Sequence, residues 1–106
     1  MDSCVVLTTV GSTIEAKTIA RALVEERLAA CVNVIPEITS IYRWAGKVCE
    51  DGECLLVIKS QVPHVAALRE RIIQLHSYAL PEVFALPLSD GSPRYLQWLD
   101  RCLTPA

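Results

Sequence analysis

From Cys31 to Trp44 the side chains keep a period of two, and from Val48 to Ser60 the chain returns with the same β-rich character. Val32, Val34, Pro36, Ile38, Ser40, Tyr42 and Trp44 fall on one face of the first stretch. Asn33, Ile35, Glu37, Thr39, Ile41 and Arg43 fall on the other. Ala45-Gly46-Lys47 marks a tight reversal between the stretches. The pattern predicts a hairpin of two long strands, with Pro36 at a bulge or an unpaired edge and an interruption near Asp51-Gly52. Strands of about 13 residues are more than twice the usual length, so their far ends should project beyond the domain's own sheet. A projecting edge is a template for another chain, which points to self-association. Tyr42, Arg43 and Trp44 are the expected interface residues, because such types are enriched where proteins meet.

The remaining elements fit around this hairpin. Cys4–Val10 is a β-branched apolar run ending at Gly11 and predicts a buried strand. Ser12-Thr13-Ile14-Glu15 has the form of a capping box, with Ser12 accepting from the Glu15 amide. Ala16, Ile19, Ala20, Leu23, Val24 and Leu28 then share one helix face. Pro63 suits the first turn of a second helix, whose buried face carries Val65, Leu68, Ile72 and Leu75. Tyr78–Glu82 is a loop, Val83–Leu88 a further strand, and Ser92-Pro93 opens a terminal helix with Leu96, Leu99 and Leu103 on one face. The order βαββαβ plus a helix predicts an α+β, ferredoxin-like single domain over residues 1–106, an antiparallel sheet with helices on one face.

Composition narrows what such a domain can do. Of 106 residues, 52% are apolar, above the roughly 45–50% of ordinary soluble domains. A monomer of this size buries only about 60–70% of its unfolded surface, so a second reason for self-association appears. Ten Lys and Arg against twelve Asp and Glu leave a net charge of −2 and no basic excess for phosphates, so no nucleic-acid partner is expected. The strand Glu53–Lys59 also lacks the aromatics of an RNA-recognition surface. Apolar runs of about five residues are far short of the roughly 20 that span a bilayer, so no membrane partner is expected. The N-terminal residues show no basic segment followed by a long apolar one, and no signal peptide is expected. Five cysteines, none in a Cys-x-x-Cys pair, fit separate thiols in the cytoplasm.

Few residues could carry chemistry. His64 is expected to be solvated. His76 closes the second helix, where it would either complement the carbonyl end or join a cysteine thiolate in a soft-metal site. No Gly-x-Ser-x-Gly, His-Glu-x-x-His or phosphate-loop motif occurs, and the first loop lacks the arginine of an acylphosphatase. A small hydrolase is therefore the third option and no catalytic residue is assigned.

Several blocks resemble the CutA divalent-cation tolerance family. They are Arg27–Pro36, Thr39–Lys47, Leu56–Ser60, Pro81–Pro87 and Tyr95–Leu99, in that order along essentially the whole chain. The resemblance implies a homotrimer related in architecture to the PII signalling proteins, with hairpin strands pairing between subunits. It implies tolerance to copper and other divalent metals, no enzymatic reaction and no required cofactor. Its proposed metal ligands map onto Cys31 and His76, giving weak binding of copper or another divalent ion. A further cysteine of some members is Thr8 here, which argues against tight copper(I) binding. The family's His-Pro-Tyr-Glu segment reads His76-Ser77-Tyr78-Ala79, a change at the positions that would stiffen the loop and supply an acidic ligand. The alternative function is a PII-like sensor, or a scaffold anchoring an unknown protein partner. Its cleft would hold a small anion or a protein segment against Lys59, His76, Tyr78 and Glu82.

Overall fold

The structure, a computed structural model, describes residues 2–105. The elements are β1 (Ser3–Val10), α1 (Thr13–Glu25), β2 (Cys31–Trp44), β3 (Lys47–Gln61), a 3-10 turn (Val62–His64), α2 (Val65–Leu75), β4 (Phe84–Pro87) and α3 (Pro93–Leu103). The four strands pair antiparallel in the order β2-β3-β1-β4. This is the expected α+β order, with β2 and β4 as the two edges.

Period-two patterning places the core. Cys4, Val6, Thr8 and Val10 of β1 are buried beside Cys54, Leu56, Ile58 and Ser60 of β3, all on the face that the helices cover. Ala16, Ile19 and Leu23 of α1 and Leu68 and Ile72 of α2 close onto them. Fully burying each such aliphatic side chain contributes about 1.5–3 kcal/mol relative to exposure. The Ser12 hydroxyl accepts from the Glu15 amide at 3.2 Å, so the cap starts α1 where the sequence places it. The helix stops at Glu25, earlier than the apolar spacing predicts, because Arg27 adopts a left-handed φ of 58°. Leu28 therefore follows the helix instead of lying on it, yet still packs on the core. Leu99 and Leu103 of α3 make a second small cluster with Ala30.

The strands depart from expectation in three ways. β3 is continuous through Asp51 and Gly52, which stay paired with Ser40 and Thr39. β4 covers only Phe84–Pro87 of the predicted Val83–Leu88. Most consequentially, Pro36 and Glu37 stand together opposite Cys54, a bulge in which Glu37 has φ 58°. One extra residue reverses the alternation that follows. Val32 and Val34 face the helices, whereas Ile38, Ser40, Tyr42 and Trp44 face the opposite side, with Glu53 and Asp51. The bulge expected at Pro36 is present, and it splits the single face predicted from Val32 to Trp44.

β1 pairs with β3 only as far as Val10 and Cys54. Beyond that level Ile38–Trp44 and Lys47–Glu53 pair with each other alone, forming an arm that draws the molecule out to 45 × 25 × 23 Å. Ala45 (φ 52°) and Gly46 (φ 79°) close its tip, the two positive values a type I′ turn needs.

Candidate functional site

At the base of the arm, the face-reversed part of β2 meets the loop between α2 and β4. A cleft of about 550 Å3 opens there. Ser40, Tyr42 and Trp44 form its β2 side, Glu53 and Thr9 its floor, and Tyr78–Leu80 with Glu82 its loop side. The parity shift at Pro36–Glu37 is what aims Tyr42 and Trp44 into this space. Two of the three Tyr and one of the two Trp of the chain line it.

Tyr78 is fixed from three directions. Its hydroxyl donates to Glu53 Oε2 at 2.7 Å. Its ring lies over Gly11, where an added Cβ would come within 3.2 Å of the phenol oxygen. Its amide donates to His76 Nδ1 at 3.1 Å. Burial, then the bond to Glu53, holds the Tyr78 phenol well above its ordinary pKa. The Tyr42 hydroxyl donates to Asp51, and that bond is the main reason its pKa rises from 10.0 to about 12. Both phenols are thus neutral donors at physiological pH.

His76 lies beneath the cleft. Its side chain is 0% exposed. A carbonyl only accepts and an amide only donates, so the contacts define the tautomer: Nε2–H donates to Thr9 O at 2.7 Å, while Nδ1 receives the Tyr78 amide. Glu15 approaches Nδ1 to 3.8 Å, too long for a hydrogen bond, and that lone pair is already engaged. Glu15 instead accepts from Ser77, at 2.7 Å from the amide and 3.0 Å from the hydroxyl. A proline at position 77 would lack that amide proton, so the serine ties the loop by a different means.

Cys31 and Lys59 lie elsewhere. They are cross-strand partners, and Lys59 Nζ stands 3.9 Å from Cys31 Sγ while donating to Asn33 Oδ1. Lys59 is six residues along β3 from Glu53, about 20 Å. Cys31 is level with Val5 through Lys59, four residues from the Thr9 carbonyl that holds His76, roughly 13 Å along the sheet. Within one chain the structure thus does not bring Cys31 to His76, nor Lys59 to Tyr78 and Glu82. Among the described residues no three His, Cys, Asp or Glu side chains are placed to hold a metal ion. One chain therefore does not by itself fit a resident metal. Burial, then the Cys31 thiol, raises the pKa of Tyr95 on α3, so Tyr95 is a neighbour of Cys31 that sequence spacing did not suggest.

Tyr42 and Trp44, expected at an interface, line the cleft, and Arg43 faces the other way. Glu53 and Ser40 were not anticipated as site residues. Alternation alone puts Ser40 on the Tyr42 face, and the register set by the Ala45-Gly46 turn pairs Glu53 with Ile38 on that face; the bulge at Pro36 decides which side of the sheet the face takes.

The model of the CutA1 divalent ion tolerance protein family matches residues 4–102. The chain belongs to that family. A divalent-cation tolerance protein CutA of Thermus thermophilus is 56% identical over 95 residues, covering 90% of this chain and 92% of the relative. Protein CutA of mouse is 57% identical over 84 residues, and the chloroplastic protein CutA of Arabidopsis thaliana 46% over 97. These alignments cover 79% and 92% of this chain but about half, 48% and 53%, of the two relatives. Among solved structures, CutA1 of Oryza sativa superposes with a TM-score of 0.96 at 42% identity, covering 100% of this chain and 97% of the other. The Thermus protein gives 0.90 at 55%, covering 92% and 94%. The α+β fold with its four-stranded antiparallel sheet and three helices is therefore a CutA1 fold. Among the described residues no helix is long and apolar enough to cross a membrane.

Proposed function

We propose that the chain acts in divalent-cation tolerance as a homotrimer that binds copper or another divalent ion weakly, as cargo. The observation that carries assembly is the arm. Ile41 and Val48 of the arm are 68% and 67% exposed, and β2 offers an unpaired edge. Phe84 and Leu86 add exposed apolar surface on the helix-free face. Pairing of arms between subunits would cover both features. Light scattering tests this: a trimer mass is expected, and the monomer mass would overturn it.

Metal binding is centred on Cys31, with ligands completed across subunits. His76 joins only by giving up its bond to the Tyr78 amide, a cost that keeps affinity low. Five free thiols favour a reducing compartment, and the cytoplasm is the proposed location. Calorimetric titration with zinc, which does not oxidise thiols, is expected to lose most of its heat in Cys31→Ser. Unchanged heat there would remove the thiol, and unchanged heat in His76→Ala would remove the histidine. A second reading, a small-molecule sensor, is favoured by the cleft itself, whose volume is of the size that ligand sites have.

A further inference from the structure

The charge of the cleft decides what a small-molecule site there would take. Glu53 and Glu82 both line it, and no lysine, arginine or histidine does. An anion is thus disfavoured, since the cation it would need, Lys59, is engaged with Asn33 elsewhere on the sheet. The other lining groups are Tyr42, Trp44 and Tyr78, with Ile41 and Leu80 beside them. A hard inorganic ion gains little from such walls. It wants six to eight oxygens, and two carboxylates with aromatic rings are a poor donor set. An organic ammonium uses every part: the carboxylates and the faces of Tyr and Trp attract the head, while aliphatic and aromatic surface takes the body.

The phenol hydroxyls support the same polarity. Tyr42 donates to Asp51 and Tyr78 to Glu53, so both protons point at carboxylates and neither is offered to an anionic guest. Trp44 is 53% exposed, which leaves the ring accessible in the single chain.

The geometry points to this cleft as a binding site for organic cations, alkylammonium compounds whose charged head sits between Glu53 and Glu82 over the Tyr and Trp rings. The assignment rests on the small-molecule reading and adds the chemical class to it. It is independent of the Cys31 metal site, which shares no residue with the cleft.

The probe is n-hexylammonium, with 1-hexanol as its neutral counterpart and hexanoate as its anionic one. Each is titrated into the full chain, and backbone and indole shifts are followed by NMR. Hexylammonium is expected to move the Trp44 indole and the Tyr78 and Glu82 amides, about tenfold more tightly than hexanol. Glu82→Gln and Glu53→Gln, the latter keeping an acceptor for Tyr78, should each bring the amine towards the affinity of the alcohol. Equal binding of amine and alcohol would overturn the cationic assignment while leaving a small-molecule site in place. Preferred binding of hexanoate would overturn it as well. No shift with any of the three would overturn both the assignment and the small-molecule reading beneath it. Displacement of the amine by stoichiometric magnesium would show an inorganic-ion site and count against it too.

Discussion

β3 is one strand living in two environments. From Cys54 to Gln61 it lies between β1 and β2, and alternate side chains are sealed under the helices. From Lys47 to Glu53 its only neighbour is β2, and nearly every residue is exposed or half-buried. Extended backbone and pairing with β2 run through both halves, and only the body half also pairs with β1. What differs is what covers them, so the body is held by packing within the chain and the arm is left to be defined by what lies outside it.

The largest effect that would break this contrast comes from truncating matched positions. Leu56→Ala in the body is expected to lose about 2–5 kcal/mol, because the cavity cannot collapse between sheet and helices. Val48→Ala in the arm should stay within about 0.5 kcal/mol. Denaturant unfolding measures both, and an equal loss at the two sites would end the distinction. Should the arm variant instead make Tm depend on protein concentration, the arm's share of stability would be intermolecular. A smaller effect sharpens the account of the body. Thr8 Oγ1 is buried with no hydrogen-bond partner. Thr8→Val removes that unpaired hydroxyl and is expected to raise stability by about 1 kcal/mol. No rise would mean the hydroxyl finds a partner. The smallest effect belongs to the arm. Tyr42 keeps its proton in the folded chain up to about 12, above the ordinary 10.0. Between those values the folded state binds the proton that the unfolded chain has released, so this contribution is lost as pH rises through the window. Phenolate absorbance should show late-titrating tyrosines, and Asp51→Asn should bring one of them, Tyr42, back towards 10.0.

The body was legible in the sequence because local rules suffice there. Ser12 and Glu15 announce the start of α1, and the spacing of Leu68 and Ile72 marks the buried side of α2. Leu28 was placed on the wrong element because spacing cannot see the left-handed turn at Arg27. The site was less legible. Pro36 signalled a bulge, but alternation alone does not say how many residues it inserts, so Tyr42 and Trp44 were grouped with Val32 and Val34. His76 was noted for its chemistry. Its bonds to Thr9 and Tyr78 join residues far apart in sequence, and only the folded chain brings them together.

The bulge at Pro36–Glu37 works as a phase shifter between the two halves of the hairpin. Everything before it is read in one frame and everything after it in the opposite one. Deleting a single residue there would leave the body's alternation as it is and turn the arm inside out. Arg43 would then be presented towards the cleft, with Tyr42 and Trp44 on the outer face. In this stretch the number of residues carries as much information as their identity, and a one-residue insertion or deletion could rewrite the binding surface without touching the core.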